Sequence, residues 1–268
     1  MNCPHKQTIA SKTCVLIPAY NCEKTIENVI TSVLSYTADI IVVNDGSTDN
    51  TEAIINKIEN IVIISYPKNK GKGYALKKGF DKAVELGYIS VITMDADGQH
   101  FAEDLCDFFW FANKAPQVML IGNRAFDHPN MPKKNVFANK FSNFWFTVQT
   151  LRRLPDTQSG FRHYPLLKMK NLRPFTNRFE AETELLVRCA WRGFIICKMP
   201  IKTHYFSENE TVSHFRPKID FARISLLNAC LCIIAFFYGY PLSIFHLIAR
   251  KTRKIKFDYK SKRELINE

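Results

Sequence analysis

Residues 91–100 read VITMDADGQH. A short apolar run, Val91-Ile92-Thr93-Met94, stops at two aspartates, Asp95 and Asp97, and Gly98, Gln99 and His100 follow at once. Carboxylates this close repel one another unless a cation offsets them. Spacing alone allows two readings: an acidic turn that caps a helix, or a pair of hard oxygen ligands for a divalent ion. The flanking sequence supplies the setting.

Upstream lie three more apolar runs, Thr13–Pro18 (TCVLIP), Asp39–Val43 (DIIVV) and Ile61–Ser65, and Ile89–Met94 is the fourth. Helical patterns separate them. Glu23–Ser35 places Ile26, Val29, Ile30 and Val33 on one face, Thr51–Ile58 is a short helix, and Lys72–Leu86 turns Ala75, Leu76, Gly79, Phe80 and Ala83 inward. Strands that are apolar throughout and alternate with helices predict a parallel sheet covered on both faces. Ligands of such sheets bind beyond the carboxyl ends of the strands. Pro18-Ala19-Tyr20-Asn21, Asn44-Asp45 and Asp95-Asp97 therefore share one rim. Downstream the pattern predicts helices over 103–112, 133–151 and 180–191, strands over 118–121 and 194–200, and a polar loop at 156–162 (DTQSGFR).

The net charge of +12 points to an anionic partner: nucleic acid, a phosphorylated ligand or an acidic membrane. Eight cysteines without a CxxC pair read as reduced, mostly buried thiols rather than a disulfide or zinc framework. Residues 1–12 are polar and lack a signal-peptide core, which predicts a catalytic part facing the cytoplasm. From Ile224 to Ala249 no residue is charged, and the basic run RKTRKIKFDYKSKR (250–263) follows. That length can span a bilayer. A single span, however, would put the basic run outside, against the positive-inside rule. A helical hairpin or interfacial pair bent at Gly239-Tyr240-Pro241 keeps both ends on the cytoplasmic side and lets the basic run meet anionic headgroups. A buried helix pair that closes the domain or a dimer interface is the other reading. Because the basic residues concentrate beside the apolar segment, lipid is favoured over nucleic acid.

Taken in order, VLIPAYNCEKTI (15–26), IIVVNDGSTDNT (40–51), NKGKGYALKKGF (69–80), VITMDADGQH (91–100), DTQSGFR (156–162) and ETELLVRCAWRGFIICKMPIKTHY (182–205) resemble the family 2 glycosyltransferases. The likeness is greatest to the subgroup that includes dolichyl- and polyprenyl-phosphate hexose (mannose or glucose) synthases. It implies an α/β GT-A fold, Rossmann-like, with a mostly parallel central sheet flanked by helices. The catalytic domain would cover residues 1–217, and a membrane-associating helical region with a basic tail residues 218–268.

The same resemblance implies roles for particular residues. A GDP- or UDP-linked sugar would be the donor and Mg²⁺ or Mn²⁺ the cofactor, held by Asp95 and Asp97 with Gln99 as a third ligand; such an ion stabilises a departing diphosphate. Pro18, Ala19, Tyr20 and Asn21 line the nucleotide pocket, Glu23 matches an acidic residue beside it, and Asp45 falls where relatives bind base or ribose. Asn44 departs from the family's Asp. Asp49 reads as a helix cap. Lys72, between glycines, contacts the donor or is simply solvated; GKG here is not a P-loop. Arg124 and Lys134 correspond to groups that hold an anionic acceptor or diphosphate. Asp156, Gln158 and Arg162 lie beside the transferred sugar, with a structural ion pair as the other reading for Arg162. Glu182 and Glu184 align with the family's acidic pair, although positions i and i+2 point to different helix faces. His214 and Arg216 would close over the diphosphate or complete the metal shell, so the third metal ligand is Gln99, His214 or water.

The resulting expectation is a metal-dependent, inverting hexosyltransferase at the cytoplasmic face of the membrane, acting on a polyprenyl phosphate, with a homo-oligomer compatible with the helical tail. Transfer to a hydroxyl of a glycan or glycolipid is the alternative within the class. A membrane-docked nucleotide-sugar-binding protein is the alternative outside it. A nucleotidyltransferase would open on a Gly-rich G-x-G-x-R loop, which VLIPAYN is not.

Overall fold

The computed structural model describes residues 12–125, 133–170, 172–204 and 217–252. Strands β1 (Thr13–Ala19), β2 (Ile40–Asn44), β3 (Val62–Ser65) and β4 (Ser90–Thr93) alternate with helices α1 (Ile26–Leu34), α2 (Thr51–Ile55) and α3 (Lys72–Glu85). Then come α4 (Leu105–Lys114), β5 (Met119–Asn123), α5 (Lys133–Thr150), β6 (Arg162–Tyr164), α6 (Glu180–Trp191) and β7 (Ile196–Pro200). One sheet holds all seven strands in the order β3-β2-β1-β4-β6-β5-β7. Alternate side chains feed two cores. Leu16, Val43 and Val91 pack with Leu76 and Phe80 of α3 and Leu185 of α6. Val15, Ile17 and Ile92 pack with Ile26 and Ile30 of α1 and Phe108 of α4.

The polar loop expected over 156–162 ends in a strand. β6 runs antiparallel to both β4 and β5, while β5 and β7 are parallel. Its three residues, Arg-His-Tyr, show no apolar run from which a central strand could be read. They are tolerated there because most of their polar groups find partners, His163 Nε2 being the buried exception. The Arg162 guanidinium donates to backbone carbonyls, and His163 Nδ1 lies 2.9 Å from the Val118 carbonyl. Burial pushes the His163 imidazole down to about 4, so it is neutral at pH 7.

Helix α7 (Pro217–Ile234) continues through a π turn (Ala235–Gly239) into α8 (Tyr240–Thr252). The hairpin reversal expected at Gly239-Tyr240-Pro241 is therefore absent, and the segment is one continuous helix against α5 and α6. Pro241 has no N–H and crowds the carbonyl four residues back. The wide π turn just before it, in which the Tyr240 N–H reaches the Ala235 carbonyl, absorbs that defect without reversing the chain.

Among the described residues Cys14, Cys22 and Cys189 are buried free thiols, and Cys197, Cys230 and Cys232 are free as well.

Candidate active site

β1, β2 and β4 end side by side. Ala19 pairs with Asn44, the Asp45 N–H donates to the Ala19 carbonyl at 2.8 Å, and the Met94 N–H donates to the Leu16 carbonyl at 3.0 Å. The PAYN, NDGS and DADGQ stretches thus share the rim that the strand pattern predicts. Thr25 at the start of α1 fastens the acidic turn by donating to the Ala96 carbonyl at 2.6 Å.

Lys72, the first residue of α3, stands between two carboxylates. Its Nζ lies 2.6 Å from Asp95 Oδ1 and 2.7 Å from Glu182 Oε2. All three side chains are mostly buried, at 17, 24 and 10% exposure. His100 Nε2 lies 3.8 Å from the other Asp95 oxygen. Burial opposes the charge on Asp95, yet Lys72 and His100 hold its carboxyl far below the usual carboxylate range. Burial likewise opposes the charge on Lys72, and Asp95 and Glu182 overcome it and push the ammonium above its ordinary value. Asp97 is displaced the other way: burial, then the charge of Asp95, push its carboxyl up. Its Oδ1 accepts from the Gln99 N–H at 2.9 Å.

This charge balance leaves the rim short of cations. Three carboxylates face one lysine, and Glu182 Oε1 is buried without a hydrogen-bond partner. Among the described residues no three His, Cys, Asp or Glu side chains form a ready metal cage. Two aspartates with hard oxygens fit a Mg²⁺- or Mn²⁺-type ion that takes one or two carboxylates from protein and the remainder from phosphate and water.

Two close approaches build this geometry. A Cβ on Gly73 would overlap the Ala181 side chain and reach 2.9 Å from the Asn177 carbonyl carbon, so a glycine lets the first turn of α3 lie on α6 and brings Lys72 to Glu182. A Cβ on Gly160 would sit inside contact distance of the Asp95 carboxylate. Gly160→Ala is expected to rotate that carboxylate away from Lys72 and cut turnover at least tenfold. Thermal melting should shift by only a few degrees, about 1 kcal/mol. Kinetics beside a melting curve checks this, and unchanged kinetics would show that the Asp95 rotamer is dispensable.

Asp45 is only 3% exposed, and both its oxygens are taken. They accept from Lys70 N at 2.8 Å, Gly71 N at 2.7 Å and Asn69 Nδ2 at 2.9 Å. Asp45 thereby locks the loop that launches α3 and Lys72. Asn21 and Glu23 are tied to the loop opposite: the Thr48 N–H donates to Asn21 Oδ1 at 2.7 Å and the Asn50 N–H to Glu23 Oε2 at 3.0 Å. Asp49 accepts from the Thr51 N–H at 3.0 Å, at the first turn of α2.

Arg124, past the end of β5, makes a two-pronged pair with Asp156, Nε at 2.7 Å and Nη2 at 3.0 Å. Asp156 also accepts from the Gln158 and Ser159 N–H groups, and Gln158 itself is exposed. The loop then runs through Gly160 to Asp95, so Arg124 and the acidic turn lie along one edge. Arg162 does not reach that edge. It is fully buried and donates to the carbonyls of Ser159, Thr157 and Glu182 and to the Tyr164 hydroxyl. It braces the backbone of Glu182 from inside, as the structural reading has it, though through carbonyls rather than an ion pair.

Nor does Glu184 join Glu182. Two residues along a helix turn it by about 200°, and its carboxylate accepts instead from Phe175 N, Thr176 N, Thr176 Oγ1 and Arg188 Nη1. His214 and Arg216 lie outside the described residues. Lys134 falls in the first turn of α5.

Comparison with known proteins identifies the family. The family model described as glycosyl transferase family 2 matches residues 14–174, well over half the chain. The chain belongs to this family. It is 31% identical over 213 residues to a UDP-N-acetylglucosamine–dolichyl-phosphate N-acetylglucosaminyltransferase of Methanococcus voltae, covering 71% of this chain and 85% of the relative. It is 26% identical over 212 residues to a polyprenol monophosphomannose synthase of Mycolicibacterium smegmatis, covering 74 and 78%. A glucosyl-3-phosphoglycerate synthase of Mycobacterium tuberculosis, solved with Mn²⁺, UDP and phosphoglyceric acid, superposes with a TM-score of 0.66. It is 18% identical and covers 87% of this chain and 82% of its own. The GT-A architecture is therefore shared across glycosyltransferases.

Proposed function

We propose that this glycosyltransferase moves a hexose or N-acetylhexosamine from a nucleoside-diphosphate sugar to a membrane polyprenyl phosphate, with inversion and with Mg²⁺ or Mn²⁺. The observation that carries the reading is the single edge formed by Asp95 and Asp97, the Lys72–Glu182 pair, and Arg124 held by Asp156. When bound, the divalent ion neutralises charge on the departing diphosphate. Asp95 and Asp97 would hold it. Lys72, already ionised and between two carboxylates, offers a second cation to the diphosphate. Arg124, its fork preset by Asp156, offers planar donors to an acceptor phosphate. Pro18, Ala19, Tyr20 and Asn21 would line the nucleotide pocket. Asp45, whose oxygens are both taken by the Asn69–Gly71 loop, and Glu23, whose Oε2 accepts from the Asn50 N–H, would shape that pocket rather than read the base.

Relatives named for dolichyl and polyprenol phosphates support a lipid-phosphate acceptor, and the apolar helix over Asp220–His246 supports a site of action at a membrane surface. The test is a donor panel, UDP- and GDP-linked, with polyprenyl phosphate in vesicles. The expected product is a radiolabelled lipid cleaved by mild acid. An acid-stable product would move the reading to a hydroxyl acceptor.

Glu182→Gln separates these outcomes again. A phosphate oxygen is already anionic and needs no general base, so the loss should stay within about tenfold and the pH profile should keep its shape. A hydroxyl acceptor relying on Glu182 would lose about 10²–10⁴-fold.

A further inference from the structure

The helix formed by α7, the π turn and α8 is inside out. Against α5 and α6 it buries Asp220, Asn228, Leu231, Ala235, Gly239 and Ser243, spaced so that they fall on one stripe. Most of these are small or polar. Gln149 Nε2 donates to Asn228 Oδ1 at 3.0 Å, and the Trp191 indole lies against Gly239. The large apolar side chains point away: Leu226, Ile233, Phe237, Phe245 and Ile248 are each more than 60% exposed. A helix on a water-facing domain does the reverse. On α5, Phe137 and Phe144 are also more than half exposed, and Phe141 meets Phe221 at 5.6 Å, so the apolar face continues across two helices. An exposed patch of this kind marks an interaction surface.

The partner's shape follows from where the domain touches the helix. Phe221 meets α5 near its start, Tyr238 meets Trp191 at 6.2 Å in the middle, and the His246 ring lies over Gly193 towards its end. From Phe221 to His246 the helix extends about 38 Å at 1.5 Å per residue. The catalytic domain flanks it over that whole length. Were the helix to cross a bilayer, the exposed Arg192, between Trp191 and Gly193, would travel into hydrocarbon with it, at high cost. Only the outer side of the helix is open to lipid. The chain that follows carries eight Lys and Arg residues between Arg250 and Arg263 against one acid, Asp258, a charge that suits anionic headgroups.

We infer that Pro217–Thr252, with Phe137 and Phe144 of α5, is a monotopic docking face: the helix lies in the plane of one leaflet, immersed by its outer side and held by anionic lipid. The inference rests on the membrane-surface reading above but not on the identity of donor or acceptor. It keeps the catalytic rim and the basic run on the same side of the bilayer, as the positive-inside rule asks.

Depth measurement in vesicles tests it without any turnover assay. Full-length Leu226→Trp, Phe237→Trp and Ile248→Trp proteins are bound to vesicles of phosphatidylcholine with about one third phosphatidylglycerol. The lipids carry bromine at a shallow or a deep acyl position. The expected result is stronger quenching by the shallow label at all three reporters, to a similar degree. The paired change Ile233→Asp, Phe237→Asp should lower vesicle flotation about tenfold or more while the circular dichroism spectrum is kept. Graded depth, with Phe237→Trp deepest, would mean a spanning helix and overturn the inference. Absence of quenching, with or without a dimer in light scattering, would give the face to a protein or to nothing and overturn it equally. Shallow quenching without lipid-linked product in the donor panel would sink the functional reading and leave this one standing.

Discussion

Replacing Asp97 by asparagine is expected to lower turnover about 10³-fold, or about 4 kcal/mol of transition-state stabilisation. The side chain keeps its size, and its one hydrogen bond within the fold, from the Gln99 N–H, needs only a carbonyl oxygen. What is lost is the second negative charge beside Asp95, on which binding of a divalent ion would depend. The fold should not suffer. Burial and the Asp95 charge both work against an ionised Asp97, so removing that ionisation relieves a repulsion. The metal-free melting temperature should stay the same or rise. Parent protein should gain stability from Mn²⁺ with UDP, since a ligand that binds only the folded state stabilises it; the variant should lose that gain. Normal activity, or a ligand-induced shift equal to the parent's, would take Asp97 out of the metal role.

Sequence reading reached furthest where hydrophobic period and order carry the information. TCVLIP, DIIVV and the Lys72 helix repeat apolar residues at strand or helix spacing, and each forms within a few residues of its expected span. The helix expected at 180–191 has those bounds in the structure. β6 is out of reach of the pattern because Arg-His-Tyr has no apolar run, and it is held partly by carbonyls that only folding brings near, Glu182 for Arg162 and Val118 for His163. The same limit separates Arg124 from Arg162. Arg124 follows the end of β5 and lies along the rim, whereas Arg162 opens β6 and is spent on backbone inside, which depends on packing against α6. For Asp45 the family resemblance implies a contact to base or ribose, and its place past the end of β2 puts it on the rim. Its actual partners lie 24–26 residues away, in a loop whose return is set by tertiary folding. The helical tail was recognised by composition. Its continuity was not, because a π turn that accommodates proline leaves no simple sequence mark.

The pairing of Lys72 with Asp95 and Glu182 makes the other large effect. Lys72→Met keeps the apolar stem and removes the ammonium, leaving two mostly buried carboxylates without their cation. Breaking a buried ion pair from one side costs about 3–5 kcal/mol, and partial exposure here reduces that to about 2–4 kcal/mol. Urea denaturation without divalent ions should report that loss as a lower midpoint at unchanged slope. Adding Glu182→Gln removes one orphaned charge, so the double variant should recover about 1 kcal/mol relative to additivity. A loss within about 0.5 kcal/mol, with additive effects, would mean the trio behaves as a solvated surface pair. The divalent ion sharpens the contrast. In the parent, a cation arriving at Asp95 must share that carboxylate with an ammonium 2.6 Å away. In Lys72→Met it meets Asp95, Asp97 and Glu182 unopposed. Millimolar Mn²⁺ should therefore stabilise the variant more than the parent, even though the variant, lacking a cation for the diphosphate, transfers sugar more slowly. A larger Mn²⁺ stabilisation of the variant, together with slower transfer than the parent, would assign Lys72 both to holding the acidic rim together and to meeting the diphosphate when the donor binds.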